Sequence, residues 1–88
     1  MRVVAVWKDY TDYSREMIDW MREFHRRTGR RLESLDPESR VGESFARAYD
    51  IVQYPTIIAI ANDGREQKRW AGMPLPLMDE VSFYTLGE

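Results

Sequence analysis

A chain of 88 residues has room for one hydrophobic core, burying roughly 60 to 65% of the surface that its unfolded form exposes, and this excludes two domains. Its 43% hydrophobic and 32% charged residues argue against disorder, and 13 basic against 15 acidic side chains, a formal charge of −2, create no global field that draws nucleic acid or anionic lipid. There is no cysteine, hence no disulfide, no thiolate nucleophile and no Cys-ligated metal.

The continuous apolar run Val3 to Trp7 reads as a strand covered on both faces. It is far shorter than a membrane span or a signal-peptide core, so the expected compartment is the cytoplasm. From Tyr13 to Thr28 the residues Met17, Ile18, Met21 and Phe24 recur at helical spacing, with Asp12 as the N-cap and Gly29 as the stop. Arg31 to Leu35 reads as a short second strand. Asp36 followed by Pro37 then reads as an N-cap with proline at the first helical position. The second helix is expected to bury Val41, Phe45, Ala48 and Tyr49 and to end near Asp50, while Gly42 blurs where it begins.

Thr56 to Ala61 is apolar and β-branched, Asn62, Asp63 and Gly64 form a turn signal, and Glu66 to Ala71 returns as a fourth strand. Beyond Gly72, Pro74 and Pro76 delay a last helix carrying Leu77, Val81 and Tyr84. The order is βαβαββα. A right-handed first crossover makes the first two strands parallel neighbours, and the hairpin completes a four-stranded mixed sheet with helices on both faces. The expectation is a single α/β domain over residues 1–88.

The segment YDIVQYPT, Tyr49 to Thr56, resembles the stretch of the thioredoxin superfamily in which a helix ends and the next strand opens on a cis proline. NDGREQKRWAG, Asn62 to Gly72, is similar to the family's hairpin, with a glycine closing the fourth strand. WKDYTDYS, Trp7 to Ser14, lies where thioredoxins have a strand-ending Trp followed by WCGPC. The resemblance implies a minimal thioredoxin-like fold lacking the first strand and helix of larger members, with Pro55 in the cis form. It also implies that Thr11 and Ser14 stand at the two cysteine positions, and that Ala5 stands where the family buries an aspartate serving them. A redox-inactive domain follows, with no thiol-disulfide oxidoreductase activity and no cofactor.

Other chemistry has little support in the residues. Ser14 and the single histidine, His25, are separated by eleven helical positions, about 16 Å along the axis, against the roughly 3 Å that a nucleophile and its base require. Thr11, Asp12 and Ser14 are expected to satisfy free amides at the helix start. Asp9, Asp12, Asp36 and Asp50 fall at element ends as caps, without His or Cys partners for a transition metal. Arg22, Arg26, Arg27, Arg30 and Arg31 follow Glu16, Asp19 and Glu23 along one helix, an order that complements the helix dipole and neutralises itself.

In the thioredoxin register Tyr10 and Tyr13 flank the former cysteine loop, Tyr54 precedes Pro55, and Gly72 with Met73 closes the same surface, where the family docks extended peptides. Two readings remain: the rings shield the loop, or they bind a peptide or protein segment. The alternatives to a binding module are a thiol-independent enzyme, a non-catalytic subunit of a redox complex, and a structural domain self-associating through a strand edge. Charged Arg31 and Glu33 on the second strand discourage edge pairing, so a monomer is expected.

Overall fold

The computed structural model describes residues 1–86. Its elements are β1 (Arg2–Val6), α1 (Ser14–Thr28), β2 (Glu33–Leu35), α2 (Arg40–Ala48), β3 (Thr56–Ile60), β4 (Glu66–Ala71) and α3 (Met78–Thr85). The sheet order is β2-β1-β3-β4. β1 runs parallel to β2, and the β1–β3 and β3–β4 pairs are antiparallel. Opposite Ala59 and Ile60 the register of β4 steps from Lys68 to Glu66, so Gln67 is the extra residue of a bulge.

Alternation along the central strands builds two cores. Val3, Ala5, Ile57 and Ala59 face α1 and α3, where Met17, Phe24 and Val81 meet them. Val4, Val6, Ile58 and Ile60 face α2 and meet Ala46 and Ile51. Every residue of β3 is buried, which is why Thr56 to Ile60 contains no charge. On the first face Trp20 stacks on Phe24 with ring centroids 5.2 Å apart. Two indoles fasten α3 and its approach: Trp20 Nε1–H donates to the Pro76 carbonyl at 3.0 Å, and Trp70 Nε1–H donates to Glu80 at 3.1 Å.

Several local expectations shift. β1 starts at Arg2 and ends at Val6, and β2 is confined to Glu33–Leu35, because pairing with β1 begins only at Glu33. α1 starts at Ser14, with Tyr13 at the cap position and Asp12 making no capping bond. Its end is as expected: Gly29 adopts φ 75° and returns its N–H to the His25 carbonyl, a left-handed conformation that glycine takes without a Cβ penalty.

The Asp36-Pro37 pair does not open α2. Asp36 instead makes a turn of its own, its carboxylate accepting the Glu38 N–H and its carbonyl the Ser39 N–H. Ser39 is the true cap and accepts the Gly42 N–H at 3.0 Å. The buried face is Gly42, Phe45, Ala46 and Tyr49 in place of the expected Val41, Phe45, Ala48 and Tyr49, which leaves Val41 66% exposed and Ala48 at the surface. Leu77 likewise stands at the cap of α3, 72% exposed, while Val81 is buried. No helix among the described residues is long and apolar enough to cross a membrane.

Candidate functional site

The first loop leaves the carboxyl end of β1 beside that of β2. Trp7 continues the parallel pairing by one bond, its N–H donating to the Leu35 carbonyl at 3.1 Å, and its indole donates to Ser34 Oγ at 2.6 Å. The chain then turns sharply. Asp9 accepts the Tyr10 N–H at 2.8 Å, Thr11 Oγ1 donates to the Lys8 carbonyl at 3.0 Å, and Tyr10 takes a left-handed φ of 62°. A non-glycine side chain in that region costs about 1 to 2 kcal/mol. The turn holds the Tyr10 ring in solvent, 96% exposed.

Thr11 and Ser14 are brought together. The Ser14 hydroxyl donates to the Thr11 carbonyl at 2.9 Å and accepts the Thr11 N–H at 3.3 Å, and the Ser14 N–H donates to the same carbonyl at 3.2 Å. Both hydroxyls are therefore engaged in closing the turn, and Asp12 takes no part. Nothing here activates either oxygen as a nucleophile, and the chain has no thiol with which to run dithiol–disulfide exchange.

Tyr13 and Tyr54, expected to share one surface at the former cysteine loop, pack on different cores. Both are half-buried, with Tyr13 packed on the core under α1 and Tyr54 on the core under α2. The Tyr13 hydroxyl accepts the Lys8 N–H at 2.8 Å, bracing the loop from beneath. The Lys8 ammonium pairs with Glu38 at 3.1 Å, and that bond raises its pKa, with the Tyr13 and Tyr54 phenols acting in the same direction.

The Tyr54–Pro55 bond is cis, as is Met73–Pro74. Pro55 is fully buried, and its carbonyl accepts the Gly72 N–H at 2.7 Å. Met73, next in the chain, is 41% exposed. The Tyr54 backbone N–H and C=O take no partner among the described residues. The structure thus joins Pro55 with Gly72 and Thr11 with Ser14, seats Tyr13 and Tyr54 on different cores, and leaves Tyr10 in solvent.

Sequence reasoning passed over Lys8 and Glu38. With Asp9, Tyr10, Thr11 and Asp36 they line a cavity of about 320 Å³ between the first loop and the turn before α2. Such a crevice at the carboxyl ends of neighbouring parallel strands, where the chain departs toward opposite faces of the sheet, is the usual ligand position in open α/β sheets. The signal available was the Asp36-Pro37 turn directly after a strand parallel to β1. No group of three or more His, Asp or Glu side chains gathers to hold a metal among the described residues.

No protein-family model matches the chain, and no curated protein matches it in sequence. Solved structures do match in shape. Thioredoxin 1 from the thermophilic eubacterium Thermosipho africanus TCF52B superposes with a TM-score of 0.66 at 18% identity, covering 97% of this chain and 90% of that one. A structure described as that of a malarial protein gives 0.66 at 18% identity, covering 94% of this chain and 90% of that one. The fold is thioredoxin-like. At these identities the likeness defines the fold and carries no activity to this chain.

Proposed function

We propose that this chain is a redox-inactive thioredoxin-like domain that binds an extended peptide segment of a partner protein along the rim of Tyr10, Tyr54 and Met73, beside the buried Pro55. The observation that carries this reading is the unpartnered backbone of Tyr54, set beside a Pro55 carbonyl already committed to Gly72. An extended peptide satisfies such free donors and acceptors through its own main chain, and apolar side chains beside them supply area. Tyr10, held outward, and Met73, an adaptable thioether, are side chains of the kind that interfaces favour. Tyr13 and Gly72 serve this rim from below, one as a strut and one as a clasp.

The experiment is a selection of displayed peptides on the wild-type domain, with each selected peptide re-measured on Tyr10→Ala, Tyr54→Ala and Met73→Ala. A loss of affinity of tenfold or more on at least two variants that melt like the wild type is expected, since a few anchor side chains dominate such interfaces. Peptides that bind all three variants equally would overturn the reading.

A further inference from the structure

A second concave surface lies away from this rim, between α1 and the open edge of β2. Ile18, Met21 and Leu32 form its floor, Arg22, His25 and Arg31 its rim, and Ser34 one end, enclosing about 450 Å³. No carboxylate among the described residues lines it. Asp19 holds Arg22 only at 3.9 Å, and the Arg31 guanidinium and the His25 ring have no ion pair or hydrogen bond among the described residues. A chain with a net charge of −2 therefore carries a local cationic rim over an apolar floor.

The sheet edge beside the groove is also incomplete. Among the described residues β2 has a strand neighbour on one side only. Because the Leu35 carbonyl accepts the Trp7 N–H from the β1 side, strand alternation turns the N–H and C=O of Ser34 outward, toward the groove that Ser34 lines.

We infer that this edge takes an extended acidic segment of a partner protein as an added strand. The segment's main chain pairs with Ser34, an aliphatic side chain settles among Ile18, Met21 and Leu32, and carboxylates two residues to either side of it meet Arg22 and Arg31. Residues two apart in a strand share a face, so the two carboxylates and the aliphatic side chain between them all turn to the groove. Charge selects the occupant. A second copy would present Arg22 and Arg31 again and no carboxylate among the described residues of its own groove, whereas an acidic strand is complementary to them.

The test titrates the 15N-labelled chain with a blocked peptide containing Glu-Thr-Val-Thr-Glu and with its counterpart in which lysine replaces each glutamate. The expected result is shift changes at Ile18, Met21, Arg22, Leu32 and Ser34, slowed exchange of the Ser34 amide, and none of this with the lysine peptide. Combining Arg22→Glu with Arg31→Glu is expected to raise Kd about tenfold or more, with Arg31→Gln as the milder variant if the double one melts early. Shifts centred on Tyr10 and Tyr54, equal binding of both peptides, unchanged affinity of the variants, or no binding at millimolar peptide would each overturn the inference. A dimer of the free protein that the charge reversals dissociate would assign the edge to a second copy and overturn it as well. Because the shifts separate the two surfaces, failure here is distinguishable from failure of the Tyr54 rim.

Discussion

Gly42 packs its Cα directly against the backbone of Asp36: a Cβ built on it would lie 1.8 Å from the Asp36 carbonyl oxygen and 2.6 Å from its carbonyl carbon. The contact folds the turn before α2 back onto the helix and so brings Glu38 to Lys8. Intrinsic propensity favours alanine over glycine in a helix by about 1 kcal/mol, yet Gly42→Ala is expected to destabilise by about 3 kcal/mol, because backbone has to move to admit the methyl. Gly29→Ala, at φ 75° with open space around it, should cost only about 1 to 2 kcal/mol. Urea unfolding of both variants checks the order; a Gly42→Ala protein as stable as the wild type would contradict the close approach.

Arg69 ties the far hairpin to the end of α2. Its guanidinium donates to the Tyr49 and Asp50 carbonyls and to Glu66, so it satisfies helix-terminal oxygens that have no partner within the helix. Arg69→Ala should cost about 1.5 to 3 kcal/mol, the range for hydrogen bonds to a charged group. Amide exchange should show faster opening at the end of α2 than at its start. Uniformly faster exchange would indicate a general loss of packing instead.

Two surface carboxylates should give the domain a shallow acid dependence. Hydrogen bonds from Arg2 hold Glu33 below the ordinary glutamate range, and those from Arg69 do the same for Glu66. A carboxylate whose pKa is lowered by folding adds stability that is complete above its unfolded value and is lost as pH falls through the lowered one. The Arg2–Glu33 pair is about half exposed and the Arg69–Glu66 pair about a third, so the contribution of each should stay below about 1 kcal/mol and shrink with salt. Urea midpoints from about pH 7 to about pH 3 should fall less steeply in a protein combining Glu33→Gln with Glu66→Gln. Identical slopes would show that other carboxylates govern acid unfolding.

Phe24 is fully buried between Trp20 and the sheet. Phe24→Ala should cost about 3 to 5 kcal/mol, a large share of the roughly 4 to 13 kcal/mol that per-residue scaling gives a domain of this size. Circular dichroism melts should show a broad, early transition. A loss near that of an exposed substitution would mean that α1 is not docked on this face.

The turn that joins Thr11 to Ser14 predicts the outcome of restoring thiols. Thr11→Cys together with Ser14→Cys should oxidise readily in air, since the two positions already exchange hydrogen bonds across one turn. Closing so short a loop should add about 2 kcal/mol by chain-entropy scaling, read as the difference between oxidised and reduced urea curves. The parent chain, with no thiol, should reduce no insulin disulfide above buffer. Failure of the double variant to bridge would mean that the loop does not hold these positions together.

Features decided by a few adjacent residues were legible from the sequence. The apolar run Thr56 to Ala61 announced a strand buried on both faces, realised as Thr56–Ile60, Gly29 announced the end of α1, and the Asn62 to Gly72 segment announced the hairpin and its closing glycine. Each rests on local chemistry that any context must respect. The start of α2 was not legible. Asp36-Pro37 satisfies the rule for a cap, but Ser39 satisfies it too, and the choice between them was made by the contact of Gly42 with the Asp36 backbone.

The same division runs through the candidate site. The register put Thr11 with Ser14 and Pro55 with Gly72, and the hydrogen bonds between them are short-range or follow from hairpin pairing. Whether a tyrosine at the loop faces solvent or core depends on which layer lies beneath it. Tyr13 found the α1 core, Tyr54 the α2 core, and Tyr10 neither. The sequence by itself determined the elements, the two-sided sheet and the absence of thiol chemistry, because these follow from the periodicity and identity of neighbouring residues. Only the tertiary structure decided that Lys8 meets Glu38 and that the edge of β2 lies open beside a cationic groove, because both depend on side chains about 10 to 30 residues apart in the chain being packed to one place, where burial and charge act through space.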